Sequence, residues 1–191
     1  MLGCSRGDRR GHDRDRPAGP ASWRESDAAR LYDIQRRVDV VQWISDDFDN
    51  PRLLTGVDDA RERIERYQET FARPPQGIWA IVPRDAADVP AGAILLKTLP
   101  NAEHGEVEIG WWLHPDSHGR GYATEGAGAV LEHAFAGGLT EVWAVMFPAN
   151  APSCGVMSRL GLTDLGVHER WYPGESQVMR ITAEEWSRGR P

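Results

Sequence analysis

The chain has 191 residues, of which 40% are apolar and 27% charged, and its formal net charge is −7. That length suits one domain with a substantial core, and no apolar run reaches the roughly 18 residues that a membrane span needs. The acidic balance argues against a general nucleic-acid binder, which must neutralise phosphates. Cys4 and Cys154 are too few for a disulfide framework, and no apolar signal segment opens the chain, so a cytoplasmic location is predicted.

Residues 1–20 are predicted to form a disordered or poorly ordered N-terminal tail. They are rich in Gly, Arg, Asp and Pro, so burial of apolar side chains cannot offset the entropy of ordering them. Their five arginines alternate with three aspartates instead of forming a basic block, which disfavours an RNA-binding arm. Residues 21–191 are predicted to form a single domain.

Two helices are predicted next. Ser26 is predicted to cap the first helix, in which Leu31, Ile34 and Val38 recur at helical spacing. The second helix is predicted over residues 55–71 and ends before two consecutive prolines.

The apolar pattern then changes to that of β-strands. Strands are predicted over residues 77–82, 91–98, 106–114, 140–147, 162–171 and 177–182. Helices are predicted over residues 122–135 and 152–160. The strand–helix–strand segment of residues 106–147 should pair its two strands in parallel, so the fold class is α+β with a mixed sheet.

The turn before the long helix carries the clearest functional signal. Gly119 and Gly121 permit a tight turn that leaves backbone amides uncovered at a helix N-terminus, and Arg120 adds a cation. This pattern predicts a phosphate or pyrophosphate site at residues 118–124. It lacks the Gly-Lys-Ser/Thr of a Walker loop and the third glycine of a dinucleotide-binding turn. A plain turn that needs glycine only for its geometry stays open as an alternative.

The run His118-Gly119-Arg120-Gly121-Tyr122-Ala123 resembles the signature of the GNAT acyl-CoA N-acetyltransferases. The longer Gly-Arg-Gly-Tyr-Ala-Thr-Glu, following Gly-Trp-Trp-Leu, is similar to the branch that acetylates the N-termini of ribosomal proteins. A second element of the family is matched by Asn150-x-x-Ser153 and the following Val-Met-x-x-Leu-Gly-Leu. His118 departs from the family pattern, which has Gln or Arg at that position. The first strand of the family should precede Trp23, where two prolines and two glycines make a poor strand.

The resemblance implies a three-layer α/β/α fold and acetyl-CoA as cosubstrate, without a metal. It implies that acetyl-CoA is held by Leu113, His114, His118, Gly119, Arg120, Gly121, Tyr122, Ala123, Thr124 and Asn150. A backbone amide near Leu113 is the family-like donor to the oxyanion of the transition state.

An attacking alkylammonium must lose a proton, and two carboxylates are candidates for the base. Glu106 and Glu108 share one face of their strand with the apolar Trp112, a setting that raises a carboxyl pKa. Glu108 is the first choice and Glu106 the second, while the alternative that both are solvated or paired with arginine stays open.

The leaving thiolate needs a proton donor, for which two interpretations are open. Many members of the family carry a tyrosine where this chain has Met157, and the resemblance implies Ser153 as the substitute. A serine that only satisfies a helix amide is the alternative. The acceptor pocket is expected to include Trp43, Trp112, His168 and Tyr172.

The expected function is transfer of an acetyl group to a primary amine, of a protein N-terminus or a small molecule, directly within a ternary complex. A non-catalytic coenzyme A-binding or sensory module of the same fold is the alternative, favoured by Met157 and His118, and a nucleotide-binding phosphate loop is a second rival. Without residues 1–20 the net charge of the chain is −9, which suits either a cationic acceptor or a solvated acidic face. A homodimer is left open.

Overall fold

The computed structural model describes residues 21–84 and 88–189 as a seven-stranded sheet between helices. The strands are β1 Ala21–Ser22, β2 Gly77–Ile81, β3 Gly92–Thr98, β4 Val107–Leu113, β5 Glu141–Met146, β6 Thr163–His168 and β7 Ser176–Thr182. The helices are α1 Ala28–Gln35, α2 Val38–Val41, α3 Val57–Thr70, α4 Tyr122–Ala136, α5 Ala151–Arg159 and α6 Ala183–Arg188. The sheet order is β1-β2-β3-β4-β5-β7-β6. The predicted tail of residues 1–20 lies outside the described residues.

Helices cover both faces of the sheet, as the three-layer prediction requires. On one face, α4 and α5 bury residues such as Val130, Leu131 and Val156 against Ile94 and Ile109. On the other face, α1 and α3 build a second core around Trp23, Leu31, Ile34 and Ile64. The three-layer arrangement is therefore confirmed, with a large apolar core on each face of the sheet.

The parallel pair β4 and β5 is confirmed, and it diverges along its length. Within the described residues these strands share a single residue pair, Glu108 with Trp143, whereas β3 and β4 pair over seven residues. The amide of His114 donates to the carbonyl of Ala91, just before β3. The amides of Trp111 and Leu113 alternate with it and therefore point toward β5. Beyond Glu108 these two amides face an opening between the strands.

The N-terminal region differs from prediction in three places. A first strand does form, but Ala21–Ser22 is only a two-residue pairing with β2. Ser26 lies inside a short 3-10 turn and does not cap α1, whose N-cap residue is Asp27. Val38 is 52% exposed, because α1 ends at Gln35 and the chain turns before α2. Gln35 is anchored there by hydrogen bonds to Tyr67 and Leu54, so the apolar spacing does not continue.

The C-terminal end of the sheet is also only partly as expected. The predicted strand 162–171 is shortened to β6, an edge strand that pairs with β7 alone and is exposed along its length. Helix α6 was not predicted, although Thr182 and Glu185 form a capping box at its start. None of the helices in the described ranges is both long and apolar enough to cross a membrane.

Candidate active site

The opening between β4 and β5 leads into two adjoining cavities. The outer cavity, about 800 Å³, lies between the N-terminal turn of α4, the helix α5 and the loop after α2. The inner cavity, about 110 Å³, lies over β3, β4 and β5 beneath Asp46 and Tyr172. Trp43, Ile44, Trp111, Asn150 and Ser153 line both cavities. These five residues therefore mark the passage between the outer and the inner cavity.

The predicted phosphate turn forms one wall of the outer cavity. Gly119 and Gly121 have left-handed backbone angles, with φ of +74° and +80°, which side chains other than glycine rarely adopt. An added Cβ at either position would meet no atom within 4 Å, so the backbone here faces open space. His118, Gly119, Gly121, Tyr122, Ala123 and Thr124 all line the cavity, as do Leu113 and Asn150. Exposed amides at the start of a 15-residue helix suit a phosphate group.

Arg159 supplies a cation to this cavity that the sequence analysis missed. It lies at the last turn of α5 and lines the outer cavity opposite the glycine turn. Its Nε donates to the Thr124 hydroxyl at 3.4 Å, which joins α5 to the first turn of α4. The signal in the sequence was its position at the end of a predicted helix next to the second family element.

Two residues expected at the cofactor site lie outside the cavity lining. The ring of His114 is buried, and it bonds Asp33 Oδ2 through Nε2 at 3.0 Å and the amide of Asp116 through Nδ1. Arg30 in α1 pairs with the same Asp116 at 2.9 Å, so His114 fastens α1 to the turn after β4. Arg120 is exposed and does not contribute to the lining of the outer cavity. The ring of His114 is thus engaged with Asp33 and the amide of Asp116, and its role at the cofactor stays a prediction.

Glu108 lies at the base of the inner cavity and is 5% exposed. The Tyr172 hydroxyl donates to its Oε1, and Lys97 Nζ on the neighbouring strand lies 3.3 Å from the same oxygen. Burial raises the pKa of Glu108 even though Lys97 and Tyr172 act in the opposite direction. Burial and the nearby carboxylate also raise the pKa of Tyr172, so its hydroxyl stays protonated and donates. The raised pKa makes the Glu108 carboxylate a better proton acceptor than an exposed glutamate.

Glu106 has a different environment from Glu108 despite lying two residues away. Its Oε2 accepts the amide of His104 at 3.0 Å, and its Oε1 accepts a bond from Arg170 at 2.6 Å. The backbone bonds and the Arg170 charge lower the pKa of Glu106. It does not line either cavity. The arginine-paired alternative therefore describes Glu106, which is engaged in holding the loop after β6.

Ser153 lies in the first turn of α5 at the boundary of the two cavities. Its amide is capped by Asn150 Oδ1 at 3.2 Å, so Asn150 orients the turn that carries the serine. Met157, one turn further on, is buried and lines the inner cavity. The hydroxyl of Ser153 is therefore placed next to the region that both cavities share, whereas Met157 offers no proton.

The aromatic residues predicted for the acceptor pocket divide into two groups. Trp43 and Tyr172 line the inner cavity. Trp112 lines the outer cavity at its edge, although most of its ring is buried against Tyr67 in the α1–α3 core. His168 lies on the exposed edge strand β6, where its Nε2 lies 3.0 Å from the carbonyl of Leu165. It contributes to neither cavity, because β6 is the strand farthest from β4 on this side.

Lys97 and Asp46 were not singled out from the sequence although both line the inner cavity. Lys97 is the only lysine in the chain, and a hairpin register between the two predicted strands would have placed it opposite Glu108. Asp46 lies in a stretch without regular structure, where the sequence carries no signal for which of several aspartates faces a cavity. No group of three or more metal-ligating side chains occurs among the described residues.

Comparison with known proteins places the chain in a family. The model of the GNAT acetyltransferase domain matches residues 21–163, and the chain therefore belongs to the GNAT acetyltransferases. A relative from Bacillus subtilis, the uncharacterized N-acetyltransferase YnaD, is 34% identical over 86 residues. That alignment covers 42% of this chain and 51% of the relative, so the chain spans about half the length of the curated relative it matches.

Two solved structures illustrate the shared fold. RimJ of Mycobacterium smegmatis, in complex with CoA-disulfide, superposes with a TM-score of 0.69 at 21% identity, covering 88% of this chain and 85% of that one. The putative acetyltransferase YncA of Salmonella typhimurium, solved with acetyl-CoA, has a TM-score of 0.62 at 17% identity and covers 84% and 90%. At such identities the likeness concerns the fold.

Proposed function

We propose that the chain is an N-acetyltransferase that moves the acetyl group of acetyl-CoA to a primary amine in a ternary complex. The observation that carries this proposal is the position of Glu108: a buried carboxylate with a raised pKa, in a small cavity that adjoins the cavity lined by the glycine turn. Membership in the GNAT family supports it. The acceptor class is either a protein N-terminus or a small-molecule amine, and a cytoplasmic location stays a prediction.

The outer cavity fits the coenzyme. The uncovered amides of the glycine turn would bind pyrophosphate oxygens, and Arg159 would bind a further phosphate oxygen. The amides of Trp111 and Leu113 face the opening between β4 and β5, where a thioester carbonyl oxygen would gain charge as it is attacked. The coenzyme supplies the activated acetyl group, and these backbone groups orient it.

The acceptor amine would enter the inner cavity. Glu108 takes the proton that the ammonium must lose, while the nitrogen forms a bond to the acetyl carbon and the carbon–sulfur bond breaks. Tyr172 donates to Glu108 and keeps it oriented. Ser153, on the boundary of the cavities, is our candidate to protonate the leaving thiolate. The products are the acetylated amine and free coenzyme A.

A release assay for coenzyme A thiol tests the proposal. Acetyl-CoA is incubated with the purified chain and a panel of amines: peptides with N-terminal alanine or serine, amino acids and short alkylamines. We expect thiol release that depends on the amine, together with a raised melting temperature in acetyl-CoA. Stabilisation without turnover on any amine would instead support the non-catalytic module, which Met157 in the inner cavity favours. Stabilisation by ATP and not by coenzyme A would contradict both.

Arg159 provides a prediction about the coenzyme alone. Arg159→Gln should raise the KM for acetyl-CoA about fivefold or more, because one charge-assisted contact to phosphate at a solvent-exposed position is lost. The kcat should stay nearly unchanged. Arg66→Gln is the matched control, because Arg66 is an exposed arginine on α3 away from both cavities. Steady-state kinetics with acetyl-CoA and with its 3′-dephospho form show which phosphate is bound. An unchanged KM would remove Arg159 from the site.

A further inference from the structure

The loop after α2 contributes to the lining of the inner cavity, and two aromatic contacts of Phe48 hold it in place. Phe48 packs edge-on against Trp43 at one end, with 5.1 Å between the ring centroids. At the other end the same ring packs against Phe147, just beyond β5, also at 5.1 Å. Phe48 therefore ties the loop to the end of β5, and Asp46 lies between Trp43 and Phe48 in the sequence. Asp46 is itself exposed to solvent, and it contributes to the lining of the inner cavity.

The charges that line the inner cavity do not balance. The charged residues in its lining are Asp46, Lys97 and Glu108. Lys97 forms an ion pair with Glu108, with 3.3 Å between Nζ and Oε1. Within the described part of the chain Asp46 forms no ion pair, yet its charge acts on both Glu108 and Tyr172. The negative charge of Asp46 is therefore not compensated by another residue of the lining, and it would attract a cationic group of a ligand.

The aromatic walls favour the same kind of ligand. Trp43, Trp111, Phe147 and Tyr172 line the inner cavity. Aromatic faces attract ammonium groups, most strongly where water is excluded. With a volume of about 110 Å³ the cavity lies well below the roughly 300 Å³ and more of drug-sized pockets, which suits a short acceptor.

The reaction itself does not need a second carboxylate. The amine that attacks must first become neutral by giving its proton to Glu108, so a lasting negative charge brings it no advantage at that moment. A cationic group elsewhere on the acceptor keeps its charge throughout and would gain from Asp46 in the ground state and the transition state alike. Building on the proposed function, we propose that Asp46 is a specificity residue that binds a second cationic group, and that the acceptor is a short diamine or polyamine.

Three acceptors of matched length test this inference. They are 1,5-diaminopentane, pentylamine and 5-aminopentanoate, whose far ends are cationic, neutral and anionic. For the unmodified chain we expect kcat/KM to be highest for the diamine and lowest for the amino acid. Asp46→Asn should lower kcat/KM for the diamine about fivefold or more and bring the three acceptors closer together. Asp47→Asn is the control, because Asp47 accepts the amides of Asp49 and Asn50 and lies outside the cavity lining.

Each outcome separates this inference from the proposed function. A preference for the diamine that persists in Asp46→Asn, or that Asp47→Asn removes equally, overturns the role of Asp46. Turnover of a neutral peptide N-terminus without turnover of the diamine overturns the diamine class and leaves the acetyltransferase proposal standing. Absence of turnover on every amine, with acetyl-CoA still bound, overturns both. Melting temperatures of the two variants show whether each is folded.

Discussion

Replacing Glu108 by Gln should lower kcat for acetyl transfer about 100-fold or more while leaving the affinity for acetyl-CoA unchanged. The amide of Gln keeps the shape of the side chain and still accepts a bond from Tyr172, but it cannot take the proton of the ammonium. Glu108 lines the inner cavity and not the outer one, so coenzyme binding should not depend on it. Stopped-flow or steady-state assays of thiol release measure kcat, and a binding titration measures the affinity for acetyl-CoA.

The pH dependence gives this prediction a second readout. Burial raises the pKa of Glu108, and only its ionised form accepts a proton, so kcat/KM of the unmodified chain should rise with pH through that raised pKa. The variant should lack this dependence. Because the folded pKa lies above the unfolded one, the stability that Glu108 contributes is present at low pH and lost as the pH rises. Glu108→Gln should therefore melt no lower than the unmodified chain at pH 8.

Glu106→Gln is the matched control on the same strand. Its carboxylate is held by Arg170 and by the amide of His104, outside both cavities. We expect a loss of stability from the weakened pair and a rate within a few-fold of the original. A rate that falls with Glu106→Gln and not with Glu108→Gln would reverse the assignment of the base.

Gly121→Glu should abolish measurable binding of acetyl-CoA, raising Kd by about 100-fold or more. The substitution places a carboxylate in the outer cavity, where we expect pyrophosphate, and forces a side chain onto a backbone with φ of +80°. The left-handed conformation alone costs about 1–2 kcal/mol, so the loss of stability should be modest beside the loss of binding. Isothermal titration with coenzyme A measures the binding.

Two control variants separate charge from backbone strain. Gly138→Glu introduces the same side chain at another left-handed glycine, with φ of +92°, beyond the opposite end of α4. It should lose comparable stability and keep its affinity for coenzyme A. Gly121→Ala adds strain without charge and should bind more weakly than the original but far better than Gly121→Glu. If Gly121→Glu still bound coenzyme A normally, the turn would not be the pyrophosphate site.

Much of the fold could be predicted because its signals are local. The strand over residues 107–113 and the helix from Tyr122 follow from the change of apolar period within short windows. The errors arose where a distant contact overrides the local pattern. Val38 continues the apolar spacing of α1, but the bonds of Gln35 to Tyr67 and Leu54 end the helix before it.

The candidate site was predicted unevenly for the same reason. The glycine turn and Asn150 could be singled out because each belongs to a short local motif, and their role at the cofactor stays a prediction. His114 and His168 were expected near ligands, but one ring is bonded to Asp33, 81 residues away, and the other lies on an edge strand. Arg159, Lys97 and Asp46 were missed because only the assembled sheet and loops bring them to the cavities.

By itself, the sequence determined the order of most elements and the geometry of the turn over residues 118–124, while phosphate binding there stays a prediction. A left-handed glycine turn at the start of a helix is specified by residues 118–124 alone, since both its geometry and its exposed amides are local properties. The different surroundings of Glu106 and Glu108 come only from the tertiary structure. Both were predicted on the same strand and the same face. Arg170 donates a hydrogen bond to Glu106, and Tyr172 donates one to Glu108, each from 64 residues away. The pKa of a carboxyl group depends on burial and on nearby charges, and distant segments supply both.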